Sequence, residues 1–130
     1  MSTTKERQLP DLSRCPCSGG TLDKLLQPAI LAVLTEGPIH GYALVARIGA
    51  MPGFAGHKPD VSGVYRLLKG MERRALVVPA WDLSESGPAK KTYQITKEGR
   101  RCLRQWVRTL EKYHEGIAAL LDIARRAAKK

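Results

Sequence analysis

Cysteine is scarce: three residues in 130, an odd number with no repeated Cys-x-x-Cys pair, which excludes a disulfide framework and supplies no structural-zinc spacing. Acidic residues are few as well, 12 Asp and Glu against 22 Lys and Arg. The resulting net charge of +10 and isoelectric point near 9.9 draw polyanions to the surface, nucleic acid or an anionic membrane foremost. Long apolar runs are missing. The longest, residues 29–34, is far short of the roughly 18 residues that mark a membrane span, and the polar residues 1–10 hold no signal-peptide core. The cytoplasm is therefore the expected compartment, and no membrane partner is expected. There is no nucleophile with its base, no converging carboxylate pair, no Walker loop and no dinucleotide-binding glycine spacing, so neither an enzyme nor a cofactor is expected. What remains, 43% hydrophobic and 26% charged, is the composition of a folded chain of one domain's size.

Residues 1–20 mix charges with Pro10, Pro16, Gly19 and Gly20 without a sustained period and read as an irregular arm. From Leu22 the apolar residues Leu25, Leu26, Ala29, Ile30, Val33 and Leu34 follow helical spacing, with Pro28 expected at the first position of the main helix. Glu36-Gly37-Pro38 stops it. Tyr42, Leu44, Val45 and Ile48 make a short second helix that begins near His40-Gly41 and ends at Gly49. After a loop rich in Gly and Pro, a third helix sets Val61, Val64, Leu68, Met71 and Ala75 on one inward stripe. Ser62, Arg66, Lys69 and Arg73 step along its opposite face, with Tyr65 beside them and Asp60 as the expected N-cap. Residues 76–81 and 91–95 read as two strands joined through the turn-rich residues 84–88, with Lys90 and Lys91 where the tip of the hairpin returns.

From Thr96, the expected N-cap, to about Ala128 the period is helical again. Leu103, Trp106, Leu110, Tyr113, Ile117, Leu120 and Ala124 step by three and four through three heptads, and Gly116 is the weak position. Some thirty helical residues extend about 45 Å, whereas a domain of about 100 residues has a radius of gyration near 13 Å. The helix must overhang its domain, and a second copy of the chain is the simplest cover for an apolar seam left in water. A homodimer is expected through those seven residues. The chain is thus expected to divide into an arm (1–20), a domain of helices and hairpin (21–96) and a C-terminal dimerisation helix (97–130).

Three helices followed by a hairpin, with a basic third helix and a basic hairpin, follow the order of a winged helix-turn-helix, mainly α with a small β-hairpin wing. The candidate contacts to double-stranded DNA are Lys58, Ser62, Gly63, Tyr65, Arg66, Lys69 and Arg73 around the third helix, and Lys90, Lys91 and Tyr93 on the wing. Arg66 and Lys69 are placed nearest base edges, because long cationic donors match the guanine O6 and N7 acceptors. Ser62, Tyr65 and the helix N-terminus are assigned to phosphates. Lys90 and Lys91 follow the adjacent backbone, with Tyr93 steadying the strand. A basic helix face is most often merely solvated, so the expectation rests on the combination of helix, hairpin, net charge and seam. A winged-helix module whose basic face docks an acidic protein, without specific DNA binding, is the alternative class.

Three segments carry a further resemblance: Gly37-Pro38-Ile39-His40-Gly41-Tyr42, then Ser62-Gly63-Val64-Tyr65-Arg66-Leu67-Leu68, then Gly87-Pro88-Ala89-Lys90-Lys91-Thr92-Tyr93-Gln94-Ile95-Thr96-Lys97-Glu98-Gly99. In this order they resemble the PadR family of bacterial transcriptional regulators, over roughly residues 22–125. The resemblance implies a cytoplasmic homodimeric repressor, its winged domain on an inverted-repeat operator and its C-terminal helices dimerising, with small and often aromatic molecules releasing the DNA. It brings Trp106 along, so Trp106 and Tyr113, and more weakly Trp81, are the candidate pocket for a small aromatic effector. Without a ligand, Trp106 is an aromatic of the core or interface. The start, Cys15-Pro16-Cys17-Ser18-Gly19-Gly20 followed by Leu25-Leu26-Gln27-Pro28, is similar to a branch that includes repressors linked to polyhydroxybutyrate granules.

Two departures stand out. The usual Gly-Thr-Leu-Tyr of the recognition helix is Ser62-Gly63-Val64-Tyr65 here, and the glycine that usually ends that helix is Ala75. A Cβ disfavours positive φ, which counts against a left-handed cap at Ala75. Arg14 beside Cys15-x-Cys17 would favour a thiolate, yet three scattered cysteines with His40, His57 and His114 do not make a metal site. His40 is expected to cap or pack, and His57 to sit in an exposed loop.

Overall fold

Buried on nearly every side, the first helix is the post around which the other elements gather. The computed structural model describes residues 9, 11, 25–52, 54, 61–83 and 90–130. The expectations for Cys15, Cys17, His57, Lys58, Asp60 and the hairpin tip, and for the arm apart from Leu9 and Asp11, lie outside the described residues. Along the described chain run α1 (Leu26–Leu34), β1 (Ile39–His40), α2 (Gly41–Gly49), α3 (Val61–Arg73), β2 (Val77–Asp82), β3 (Lys90–Ile95) and α4 (Lys97–Ala128). This is a winged helix-turn-helix followed by one long helix, as the sequence predicts.

In α1, Ile30, Leu31, Val33 and Leu34 are almost fully buried. Pro28 is the third residue of α1 rather than its first, which costs no hydrogen bond because first-turn N–H groups have no carbonyl four residues back. The helix unwinds as the N–H groups of Thr35, Glu36 and Gly37 donate to carbonyls three residues behind them. Gly37, at φ +132°, makes a turn that a side chain would oppose. Leu44 and Ile48 of α2 and Val64, Leu68 and Met71 of α3 close the core over α1, with Val77, Tyr93 and Ile95 from the sheet.

The strand order is β1-β3-β2, both pairings antiparallel, with Ile39 opposite Tyr93 and Tyr93 opposite Pro79. The sequence reading missed β1: two residues are too few to show a period, and this strand exists because β3 offers it an open edge. As an edge strand, β2 tolerates Pro79. Three residues of the expected inward stripes face water instead, exposed Ala75 beyond the last turn of α3 among them. Tyr42, in the first turn of α2, is 76% exposed, and Val61, the first residue of α3, is 38% exposed. Each sits where its helix leaves the core.

The end of α3 overturns the expectation against a left-handed residue. Ala75 has φ +62°. The Leu76 N–H donates to the Met71 carbonyl at 2.9 Å and the Ala75 N–H to the Glu72 carbonyl at 3.0 Å, the paired bonds of a Schellman motif. Thr96 locks the turn from outside, its hydroxyl donating to the Ala75 carbonyl at 2.6 Å and its N–H to the Leu76 carbonyl at 3.1 Å. Four hydrogen bonds, each worth about 1 kcal/mol, outweigh a steric cost of about 1–2 kcal/mol.

The same Thr96 hydroxyl accepts from the Gly99 N–H at 2.9 Å and so caps α4, as expected. Gly99 is buried against the Leu76 carbonyl, where a Cβ would overlap backbone. With 32 residues, α4 is about 48 Å long. Its first turns pack Cys102, Leu103 and Trp106 on the core, Leu110 is half-buried, and every residue from Glu111 to Lys130 is exposed.

Candidate nucleic-acid interface

Two elements build the interface. Helix α3 is amphipathic: Val64, Leu68 and Met71 are held in the core, so the residues half a turn away must face out. Ser62, Arg66, Lys69 and Arg73 are all exposed on that outer face. Strand β3 lies alongside, and the cleft between the two is lined by Val61, Ser62, Tyr65, Arg66, Lys69, Lys91 and Tyr93, enclosing about 560 Å³. Six of the ten predicted contacts thus line one surface. Arg73 and Lys90 are exposed beside it, Gly63 is half-buried on a flank of the helix, and Lys58 lies outside the described residues.

Three of these residues have structural duties that sequence spacing could not show. Tyr93 is 3% exposed, a core residue at the centre of the sheet. Tyr65 lays its ring on Gly41, where any Cβ would overlap the phenol, and so sets the spacing between α2 and α3. Burial pushes its phenol above the usual tyrosine value, and the neighbouring Tyr93 and Tyr42 phenols add to the shift. Lys91 is half-buried, its ammonium 3.8 Å from Glu72 Oε1 and 5.2 Å from the centre of the Tyr93 ring. The wing lysine is therefore buckled to the recognition helix.

Sequence reasoning missed Glu72 and the mouth of α2. Glu72 lies four residues past Leu68 and three past Lys69, on the flank of α3 that meets the wing, and the helical period alone could have flagged it. A second recess of about 510 Å³ adjoins the first through Tyr65 and Lys91, and is lined by His40, Gly41, Tyr42, Ala43 and Lys90 as well. His40 precedes α2 as its N-cap residue, without a side-chain cap bond, and also belongs to β1.

The predicted dimer seam divides. Leu103 and Trp106 pack against the domain's own core. Tyr113, Ile117 and Leu120 are about half to two-thirds exposed, and Ala124 is exposed with them. Trp106 and Tyr113, the candidate effector pocket, are two turns apart on this face, one against the core and one in water. Trp81, paired with Lys91 across β2 and β3, is an exposed wing residue. Among the described residues no group of His, Cys, Asp and Glu could hold a metal ion, and no helix is long and apolar enough to cross a membrane.

Comparison with known proteins adds to this geometry. Residues 30–105 match the Transcriptional regulator PadR-like family. A PadR-family regulator from Eggerthella lenta is 27% identical, with 81% of this chain and 91% of that one covered and a TM-score of 0.62. A PadR-like regulator from Bacillus cereus is 23% identical, covering 77% and 94%, at a TM-score of 0.66. The structure of Bacillus subtilis PadR in complex with operator DNA is 24% identical, at a TM-score of 0.56 over 64% of this chain and 46% of that one. No curated protein sequence matches this chain significantly.

Proposed function

Since this chain belongs to the PadR-like family of transcriptional regulators, we propose that it is a ligand-responsive repressor that binds an inverted-repeat operator as a homodimer. The observation that carries the DNA reading is the cleft between α3 and β3, where Arg66 and Lys69 stand on an exposed helix face beside the wing. A helix of this diameter fits the major groove, and two long cationic donors suit guanine edges. Lys90 contributes to phosphate contacts, while Lys91 acts through the wing's position, held by Glu72.

Dimerisation is supported by the continuous apolar face of α4 beyond Leu110, which the chain's own domain does not cover. A two-fold axis through paired helices would present two reading heads, and an inverted repeat is the sequence that matches such symmetry. An aromatic effector is assigned to the neighbourhood of Trp106 and Tyr113, where the seam leaves the domain.

Footprinting on the DNA flanking the chain's own gene, followed by affinity measurements on the protected duplex and on random duplex, tests this reading. A protected palindrome is expected, with Arg66→Ala weakening specific more than non-specific binding by about 1–3 kcal/mol. Absence of duplex binding even at low salt overturns it in favour of a protein-association module, because phosphate neutralisation is strongest there.

A further inference from the structure

The outer face of α4 carries a second concentration of positive charge that the reading cleft does not use. Lys97, Arg100, Arg101, Arg104 and Arg108 are all exposed, and at about 3.6 residues per turn they fall within an arc of roughly 100°. Gly99, Cys102, Leu103 and Trp106, buried or half-buried against the core, lie on the other side of the helix. The stretch holds one carboxylate, Glu98, paired with Arg101 at 3.2 Å. Arg108 bonds only the neutral Gln105, at 2.6 Å, and Lys97, Arg100 and Arg104 have no acidic partner among the described residues. Among the described residues, four charges therefore go uncompensated along about 17 Å of helix.

Ordinary solvated faces interleave signs at i and i+4, which stabilises the helix. Here Lys97 and Arg101, Arg100 and Arg104, and Arg104 and Arg108 place like charges at that spacing, which works against it. A polyanion relieves the repulsion, and a linear array of cations fits a phosphate backbone. No residue of α4 lines the cleft between α3 and β3. On the inner side of α4, Cys102 Sγ accepts from Gln27 Nε2 at 3.5 Å, and Gln27 Oε1 accepts from Arg74, at the end of α3, at 3.1 Å. Gln27 of α1 thus lies between the inner side of α4 and the end of α3, and the cleft is built without any residue of the stripe.

We propose that this face of α4 is a second, sequence-blind binding surface for the phosphates of a separate DNA duplex, so that the protein holds two segments at once. It rests on the DNA reading above only in taking duplex DNA as the polyanion.

The test uses the full chain on an immobilised random duplex of about 30 base pairs, with retention of a second, dye-labelled random duplex as the readout. The wild type retains the labelled duplex. The variant Arg100→Glu/Arg104→Glu/Arg108→Glu still binds the immobilised duplex but retains at least tenfold less of the second. A control with the same charge change at the far end, Arg125→Glu/Lys129→Glu/Lys130→Glu, retains it as the wild type does. Circular dichroism checks that the variants fold. Unchanged retention by the stripe variant overturns the proposal, since the paired reading clefts of a dimer would then account for bridging. Equal loss in the control overturns it too, because net charge alone would be responsible. If the wild type binds no duplex at low salt, the regulator reading falls with it, whereas cleft binding that survives intact beside an inert stripe removes this proposal alone.

Discussion

Tyr65 within α3 and Ala75 just past its end show how single residues serve the fold. The Tyr65 ring fills the space over Gly41 and keeps its proton more tightly than a free tyrosine, chiefly because burial disfavours the phenolate. A folded-state value above the ordinary value of 10.0 means that this contribution to stability is complete below pH 10 and is lost as pH rises through the shifted value. Urea denaturation across that alkaline range is expected to show a steeper loss for the wild type than for Tyr65→Phe. At Ala75 the left-handed backbone strains a Cβ by about 1–2 kcal/mol, and glycine would remove that strain while adding about 0.5–1 kcal/mol of chain entropy cost. Ala75→Gly is therefore expected to stabilise by about 0.5 kcal/mol, a rise of roughly 2–4 °C in Tm by calorimetry.

Among the elements, α4 depends most on one side chain. The Thr96 hydroxyl accepts from the first turn of α4 and donates to the carbonyl that ends α3, joining the recognition helix to the long helix across a single residue. Thr96→Val keeps the shape and removes both bonds. A loss of about 1–2 kcal/mol is expected in thermal unfolding, with Thr96→Ser recovering most of it. The helices and the two wing strands were legible in sequence because their signals are local: apolar spacing, Glu36-Gly37-Pro38, the turn residues of the hairpin and a capping threonine. Strand β1 was not, since it is made by pairing with β3 and has no period of its own. The αL cap at Ala75 was misread for the same kind of reason, two of its four hydrogen bonds coming from Thr96, 21 residues away.

For the whole molecule the central asymmetry lies along α4, packed on the domain at one end and exposed from Glu111 onward. Ile117, 59% exposed, is expected to lie in the partner interface. Ile117→Asp should sediment as a monomer in analytical ultracentrifugation and bind operator at least tenfold more weakly, because a charge in an apolar seam has no water or partner there. A dimer of unchanged mass would remove the seam from the account.

The amino-acid order alone determined the helices, the wing, the basic outer face of α3 and the heptad seam, since each is written in residues a few positions apart. Which side chains the fold itself takes up was decided only by the tertiary structure. Lys91 is drawn onto Glu72 and the Tyr93 ring, Tyr65 is spent on Gly41, and Trp106 is taken up by the domain core, while Arg66 and Lys69 stay on the surface. Charge and period are local properties of a chain; whether a side chain finds a partner depends on what distant segments bring beside it.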